Sequence, residues 1–534
     1  MNKGQRTKNK GLIIWLFFLF VIIAVYFFGL SIPLLGPDEA RYAQVAREMC
    51  LRGDFVTPTL GEFNWFEKPA LLYWLQIFSY KLFGVSEFAA RFGSAIFGLG
   101  TILSLWILGK FVSNSETKDK GQRTNDEFAN WLALISASSI GLLAFSRGAS
   151  FDIILTFPIT ASLVGFFIFD SFSQKRKDAK ESEEIKQQAL KSFKSLRLCA
   201  FAGLFAFYIF IGIALLAKGL VGIVFPFVIV AFYHLLSWKF PSKTFIFSLF
   251  WGTIISILVA SVWYLPMYLT HGQTFIDEFF IQHHLNRFTS NKYQHPQPFY
   301  FFFWVLPLMT IPWLPFFLAS MWDFSKRFFH YKDTENNIKL STLDSRLSTF
   351  AFAWLLVPLV FFSFSGSKLP GYILPALPAA LILTAEYIWR FVQKSEKRKI
   401  YVKIFALATF AVVVLILQFF INNFTRRETV KNLIETANAN GYATEKVLNL
   451  NTISHNAEFY AHGRLVRTDD GKLRRFYEVG EIIEKMKREN INEILVLVPL
   501  EHLNQLTESS LVKTKVLGDN TELAIVLVKG TPSS

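Results

Sequence analysis

Eleven apolar runs of about 20 residues, broken by short polar segments, fill the chain as far as about residue 422. They fall at about 11–31, 88–112, 128–146, 152–170, 198–217, 219–236, 244–269, 299–322, 347–364, 371–391 and 402–422. A helix rises about 1.5 Å per residue, so each run is long enough to cross roughly 30 Å of hydrocarbon. The pattern predicts a polytopic α-helical membrane protein with 11–13 transmembrane helices, the upper figure allowing for spans inside the aromatic-rich stretches. After Asn422 the period changes. "KVLNL", "EILVLV", "VKTKVL" and "ELAIVLV" have the length and β-branched content of strands, and "EVGEIIEKMKREN" has helical spacing. The expected organisation is a transmembrane domain over 1–423, with outer loops at 32–87 and 270–298, followed by a small α/β domain over 424–534.

The polar segments sort into two sets. "NKGQRTKNK", "KDKGQR", "QKRKDAK", "KRFFHYK" and "KSEKRK" are basic and poor in aromatics, which marks them as cytoplasmic and places the N-terminus there. The other set mixes acids, arginines, histidines and aromatics: residues 32–87, the turns at Asp152 and Lys218, the loop 270–298 and "SGSKLPGYILP". An odd number of spans puts residues 424–534 on this outer side as well. The run Gly11–Leu30 lacks a small-residue cleavage site and reads as a retained signal anchor.

Composition adds two exclusions. The formal charge is +15, yet residues 424–534 hold 15 Lys and Arg against 15 Asp and Glu, so the excess lies in the loops and sets topology. Nucleic acid is therefore not an expected partner. Cys50 and Cys199 are the only cysteines, too few for a disulfide framework or a CxxC site.

The outer segments hold the candidate chemistry. In "GPDEARYAQVAREM", Pro37 opens a helix on which Asp38, Arg41 and Tyr42 share a face. Asp38 and Glu39 could also serve only to complement the helix dipole. In "NWFEKPALLYWL", Glu67 and Lys68 stand at a helix start suited to an anionic group such as phosphate; a snorkelling lysine in an aromatic belt is the plainer reading. Asp152 lies at an outer turn with Arg147 close in sequence, and Lys218 stands alone between two apolar runs, where a charge requires an anion, from substrate or protein. The loop "FFIQHHLNRFTSNKYQHPQPFYFF" carries His283, His284, Arg287, Lys292 and His295 without metal-motif spacing. Arg287 suits bidentate phosphate contact. Lys368 and Tyr372 sit in the proline-rich turn "SKLPGYILPALP". Together these predict an outward-facing pocket whose cations suit lipid-linked phosphates and whose acids suit a sugar or an acceptor. No nucleotide-binding loop is present in the sequence.

In their order, "GPDEARYAQVAREM", "GDFVTPTL", "WFEKPALLYWL", "FGVSEFAARF", "SFDIILTF", "ALLAKGLVG", "HHLNRF" and "SKLPGYILP" resemble the bacterial lipid A aminoarabinose transferases, relatives of the protein O-mannosyltransferases with the GT-C fold. The likeness covers about 11–420. It implies a GT-C glycosyltransferase fold and an inverting transfer of an amino sugar, aminoarabinose or a hexosamine such as galactosamine. The donor would be undecaprenyl phosphate, and the acceptor a lipid A phosphate on the periplasmic side of the bacterial inner membrane. It further implies that Asp38 and Asp152 are the catalytic acids, that Lys68, Arg287 and Tyr372 hold the donor phosphate, and that Arg41, Tyr42 and Lys218 line the pocket. Glu67 and His284 match positions holding a divalent, zinc-like metal, although His283 stands where the family leads one to expect an acid. Two other activities fit the same residues: transfer to protein serine or threonine or another envelope glycan, and flipping of lipid-linked sugars.

Overall fold

The computed structural model describes residues 3–119, 127–181, 186–285, 296–330 and 343–530. The chain folds as two compact units. One comprises Met1–Phe28, Glu67–Leu71 and Ser94–Val412; the other comprises Gly29–Phe66, Leu72–Gly93 and Val413–Ser534. The sequence-based boundary at 423 therefore differs from the division seen here, in which two segments of the first outer loop group with the tail.

The first unit is a helix bundle. Among the described residues seven helices are long and apolar enough to cross a membrane, or eight with Phe301–Met309 and Leu314–Arg327 taken as one bent span. Each of the eleven predicted runs is helical, but four differ from a plain span. Gly11–Phe27 and Val221–Leu236 are shorter, and the run predicted at 128–146 is two helices, Glu127–Ala137 and Ile140–Phe145. The predicted run at 299–322 bends by 117°. The two breaks meet: Ile140 N donates to Ile311 O at 2.7 Å, and Trp313 Nε1 donates to Ser138 Oγ at 3.0 Å. Peptide groups freed by each break are thus satisfied inside protein, as an apolar surround demands.

Packing within the bundle follows small residues and rings. A Cβ on Gly203 would lie 2.7 Å from Gly165 O, so only glycine lets the helices Phe151–Glu181 and Lys186–Lys218 approach this closely. Beside that contact, Phe166, Phe207, Phe245, Tyr233 and Phe350 stack edge to face or tilted. Asp170 is buried there and paired with Arg346 at 2.8 Å, as a charge among apolar helices must be.

The second unit holds the helix Gly36–Arg52, with Pro37 in its first turn. It stops at Gly53, whose φ of 68° is the left-handed cap conformation; Gly53 N bonds Cys50 O and Asp54 N bonds Met49 O. The tail is the expected small α/β domain. Its strands are β3 (Val447–Leu450), β4 (Arg475–Phe476), β5 (Glu493–Pro499), β6 (Val512–Asp519) and β7 (Leu523–Gly530), after a small β1 (Thr59–Leu60) and β2 (Phe63–Asn64) hairpin in the outer loop. They order β4-β3-β5-β7-β6, with β3 parallel to both neighbours and β7 antiparallel to β5 and β6. Ile482 and Met486 of the helix Val479–Glu489 cover Val496, Val498, Val526 and Val528. Strand β4 and the helices Lys431–Ala439 and Ala457–Tyr460 are too short or too polar to have been read from the sequence.

Candidate active site

Two groups of side chains, one in each unit, carry the candidate chemistry. In the helix bundle, Asp152 occupies the first turn of Phe151–Glu181, and its backbone N–H bonds Ser150 Oγ at 3.1 Å. Ser150 Oγ in turn donates to Asp152 Oδ2 at 3.2 Å. Lys218, the last residue of its helix, forms an ion pair with Asp152 Oδ1. The anion that Lys218 requires is therefore supplied by the protein. Its ammonium also lies 4.7 Å from the centre of the Tyr372 ring. The Tyr372 hydroxyl is buried and has no hydrogen-bond partner among the described residues. Gly371 makes the cluster possible: any Cβ there would overlap the Asp152 carboxylate.

Lys368 behaves differently. It is buried, and Nζ donates to Ser365 O at 2.7 Å and Gln297 O at 3.1 Å, so it ties two outer segments together through their carbonyls. Arg147 likewise binds backbone, donating to Leu143 O at 2.6 Å and to Val25 O. The local Arg147–Asp152 pair open from the sequence is replaced by Lys218. Glu67 and Lys68 pair at 3.0 Å with side chains only 14% and 11% exposed, three residues ahead of the helix Leu71–Phe83.

In the second unit, Asp38 Oδ1 accepts from Arg41 Nη2 at 2.7 Å while the Asp38 side chain stays 55% exposed. Arg41 also donates to Pro37 O at 3.1 Å, and its guanidinium lies 5.8 Å from the Trp65 ring centre. Tyr42 is buried, with its ring 6.4 Å from that of Tyr73, which places it in the packing of this unit. Glu39 does more than complement the helix dipole: it accepts from Leu35 N at 2.9 Å and from Arg91 at 2.7 and 3.0 Å. Arg91 also donates to Leu30 O at 3.0 Å and Pro33 O at 3.1 Å, pinning the chain just ahead of Asp38.

The tail reaches the same helix. Arg47 donates to Phe459 O at 2.6 Å and stacks 4.0 Å over the Phe459 ring. Tyr460 Oη accepts from Leu34 N at 2.8 Å and donates to Glu87 at 3.2 Å; Glu87 also pairs with Lys431 at 2.6 Å. Burial lowers the Arg47 pKa against the raising effect of nearby Tyr80 and Glu87, and burial raises that of Tyr460. Burial and the charge of Arg41 lower the pKa of His455, while Asp38 opposes them. Arg91, Arg47, Gly371 and His455 were not read from the sequence as functional; "EFAARF" and "LPGYILP" are where the first and third could have been noticed.

Arg287, Lys292 and His295 lie outside the described residues. His284 belongs to the segment Ile276–Leu285, with its side chain, like that of His283, outside the description. Toward the expected metal the described residues offer Glu67, already paired with Lys68, and they contain no group of three or more His, Cys, Asp or Glu that could hold an ion.

Known proteins match this chain in sequence and fold. The family model for dolichyl-phosphate-mannose-protein mannosyltransferase matches residues 12–276. An undecaprenyl phosphate-alpha-4-amino-4-deoxy-L-arabinose arabinosyl transferase of Shewanella sediminis is 29% identical over 409 residues, covering 74% of this chain and 65% of that protein. One from Proteus mirabilis is 28% identical over 429 residues, covering 78% and 67%. The chain thus spans about two thirds of the length of these curated relatives. The apo crystal structure of ArnT from Cupriavidus metallidurans superposes with a TM-score of 0.73 at 19% identity, covering 97% of this chain and 98% of that one. The same protein bound to undecaprenyl phosphate gives 0.72 at 18%. Fold and motifs define a polytopic membrane protein of the GT-C class, related to the protein O-mannosyltransferases. Within that class the chain is similar, over about three quarters of its length, to the undecaprenyl phosphate-aminoarabinose arabinosyl transferases.

Proposed function

We propose that the chain is an inverting glycosyltransferase that moves an amino sugar from undecaprenyl phosphate to a phosphate of lipid A, at the periplasmic face of the inner membrane. The single observation that carries this reading is the Asp152–Lys218–Tyr372 cluster, a carboxylate, an ammonium and an unpartnered buried hydroxyl. The names of the curated relatives supply the donor. The basic tracts support an outer position for that cluster's turns. The sugar would be 4-amino-4-deoxy-L-arabinose or a hexosamine.

In such a displacement an acceptor oxygen forms a bond to the anomeric carbon as the bond to the polyprenyl phosphate oxygen breaks. The electron pair leaves on that phosphate. Lys68 and Lys218 would stabilise the departing charge, and the Tyr372 hydroxyl would donate to it; such preorganised donors act most strongly where water is excluded. Asp152 holds the Lys218 ammonium in place. A lipid A phosphate is already ionised at neutral pH, so Asp38 need only orient the acceptor or the sugar. Lys368, committed to two carbonyls, would shape the site rather than touch the phosphate.

The family model's own description favours a second reading, transfer to a protein hydroxyl, in which Asp38 would act as general base. Mass spectrometry of lipid A from cells with and without the protein, and with Asp38→Ala, separates the two. Loss of one sugar-sized increment in both the deletion and the variant supports transfer to lipid A, and its mass distinguishes pentosamine from hexosamine. Unchanged lipid A in cells that make the donor lipid refutes it.

A further inference from the structure

We infer that His455, from the C-terminal α/β domain, forms with Arg41 and Trp65 a subsite for the phosphate ester of the acceptor, next to the Asp38 carboxylate. The inference rests on the proposed transfer and names the residue the tail contributes to it.

The geometry comes from the anchoring of residues 454–460 on the helix Gly36–Arg52. Tyr460 is hydrogen-bonded to Leu34 N and to Glu87, Arg47 both bonds and stacks on Phe459, and Asn456 Nδ2 donates to Glu428 O at 3.0 Å. These contacts fix both sides of His455, and the residue keeps an opening to solvent. It sits within the electrostatic reach of both Arg41 and Asp38, and burial with the Arg41 charge lowers its pKa, which favours the neutral ring. A neutral imidazole offers one N–H donor without adding a second charge beside the guanidinium. Arg41 provides the charge, and Trp65 a flat apolar surface whose indole N–H is buried without a partner among the described residues. A cation, an N–H donor and an aromatic face suit a sugar phosphate. A purely structural tail would need the anchor residues but not an exposed histidine between them.

The test uses the full-length protein with undecaprenyl-phosphate amino sugar as donor and lipid A as acceptor. His455→Ala is expected to raise KM for lipid A about tenfold, the scale of one hydrogen bond to a charged group, with kcat and the donor KM little changed. His455→Gln, which keeps an N–H donor, is expected to restore KM to within about twofold. An acceptor KM unchanged in His455→Ala, or shifted equally with that of the donor, overturns the inference while leaving the transfer intact. If the wild-type protein transfers nothing to lipid A, the proposed function fails instead. Direct binding of lipid A without donor, compared between wild type and His455→Ala, then still decides the subsite: equal affinities overturn it, and weaker binding by the variant supports it.

Discussion

Replacing Gly371 by alanine tests whether the Asp152–Lys218 pair matters. The backbone at Gly371 is not in the left-handed region, so alanine brings no conformational strain there. The added methyl overlaps the Asp152 carboxylate and would lie 2.9 Å from a ring carbon of Phe145. The carboxylate must swing away, since the Phe145 ring also crowds the methyl. Both partners of the pair are only 17% and 18% exposed, so an effective dielectric near 20 is appropriate. Lengthening such a pair from about 3 to about 5 Å costs about 2 kcal/mol. If the pair sets the position of the ammonium in the transition state, transfer slows by about 30-fold. The assay is single-turnover transfer with purified protein, alongside thermal unfolding and the Gly371→Ala, Asp152→Asn and double variants. The variants should fail additivity, because both act on one ion pair. Wild-type rates in Gly371→Ala, or losses that simply add, would refute the reasoning.

Two further outcomes concern the second unit. Arg91→Met removes the ion pair to the half-buried Glu39 and frees the Leu30 and Pro33 carbonyls; it should cost about 3–5 kcal/mol in thermal unfolding, partly recovered by adding Glu39→Gln. Asp54 has a lowered pKa: burial raises it, but the N–H groups of Val56 and Thr57 and the Arg52 charge outweigh that. Because the folded carboxyl releases its proton more readily than the unfolded one, its stabilisation is present above the ordinary carboxylate range and lost as pH falls through the folded value. Melting temperature followed down through the acid range should therefore decline less steeply in Asp54→Asn than in wild type.

Much of the membrane part was legible because its signals are local. An apolar run of sufficient length is helical wherever it lies in a bilayer, and each of the eleven predicted runs is helical, two of them with a break. The tail strands "EILVLV" and "ELAIVLV" were equally plain, since buried strands must be continuous in apolar residues. The helix breaks at 138–139 and 310–313 were not, because each is satisfied by the other, across more than 170 residues of chain.

The candidate residues divide in the same way. That Asp38 would open a helix beside Arg41, and that Asp152 and Lys218 would stand at the ends of apolar runs, followed from the sequence, because proline placement and the cost of charge in hydrocarbon act over a few residues. Partner choice did not. Lys218 pairs with Asp152, Glu39 with Arg91, Lys368 with two carbonyls, and Arg47 with Phe459. The sequence by itself determined which segments are helical and where charges had to find compensation. Only the tertiary structure decided what compensates each charge, because an ion pair or a hydrogen bond depends on distances of a few ångströms between segments whose separation along the chain carries no record of them.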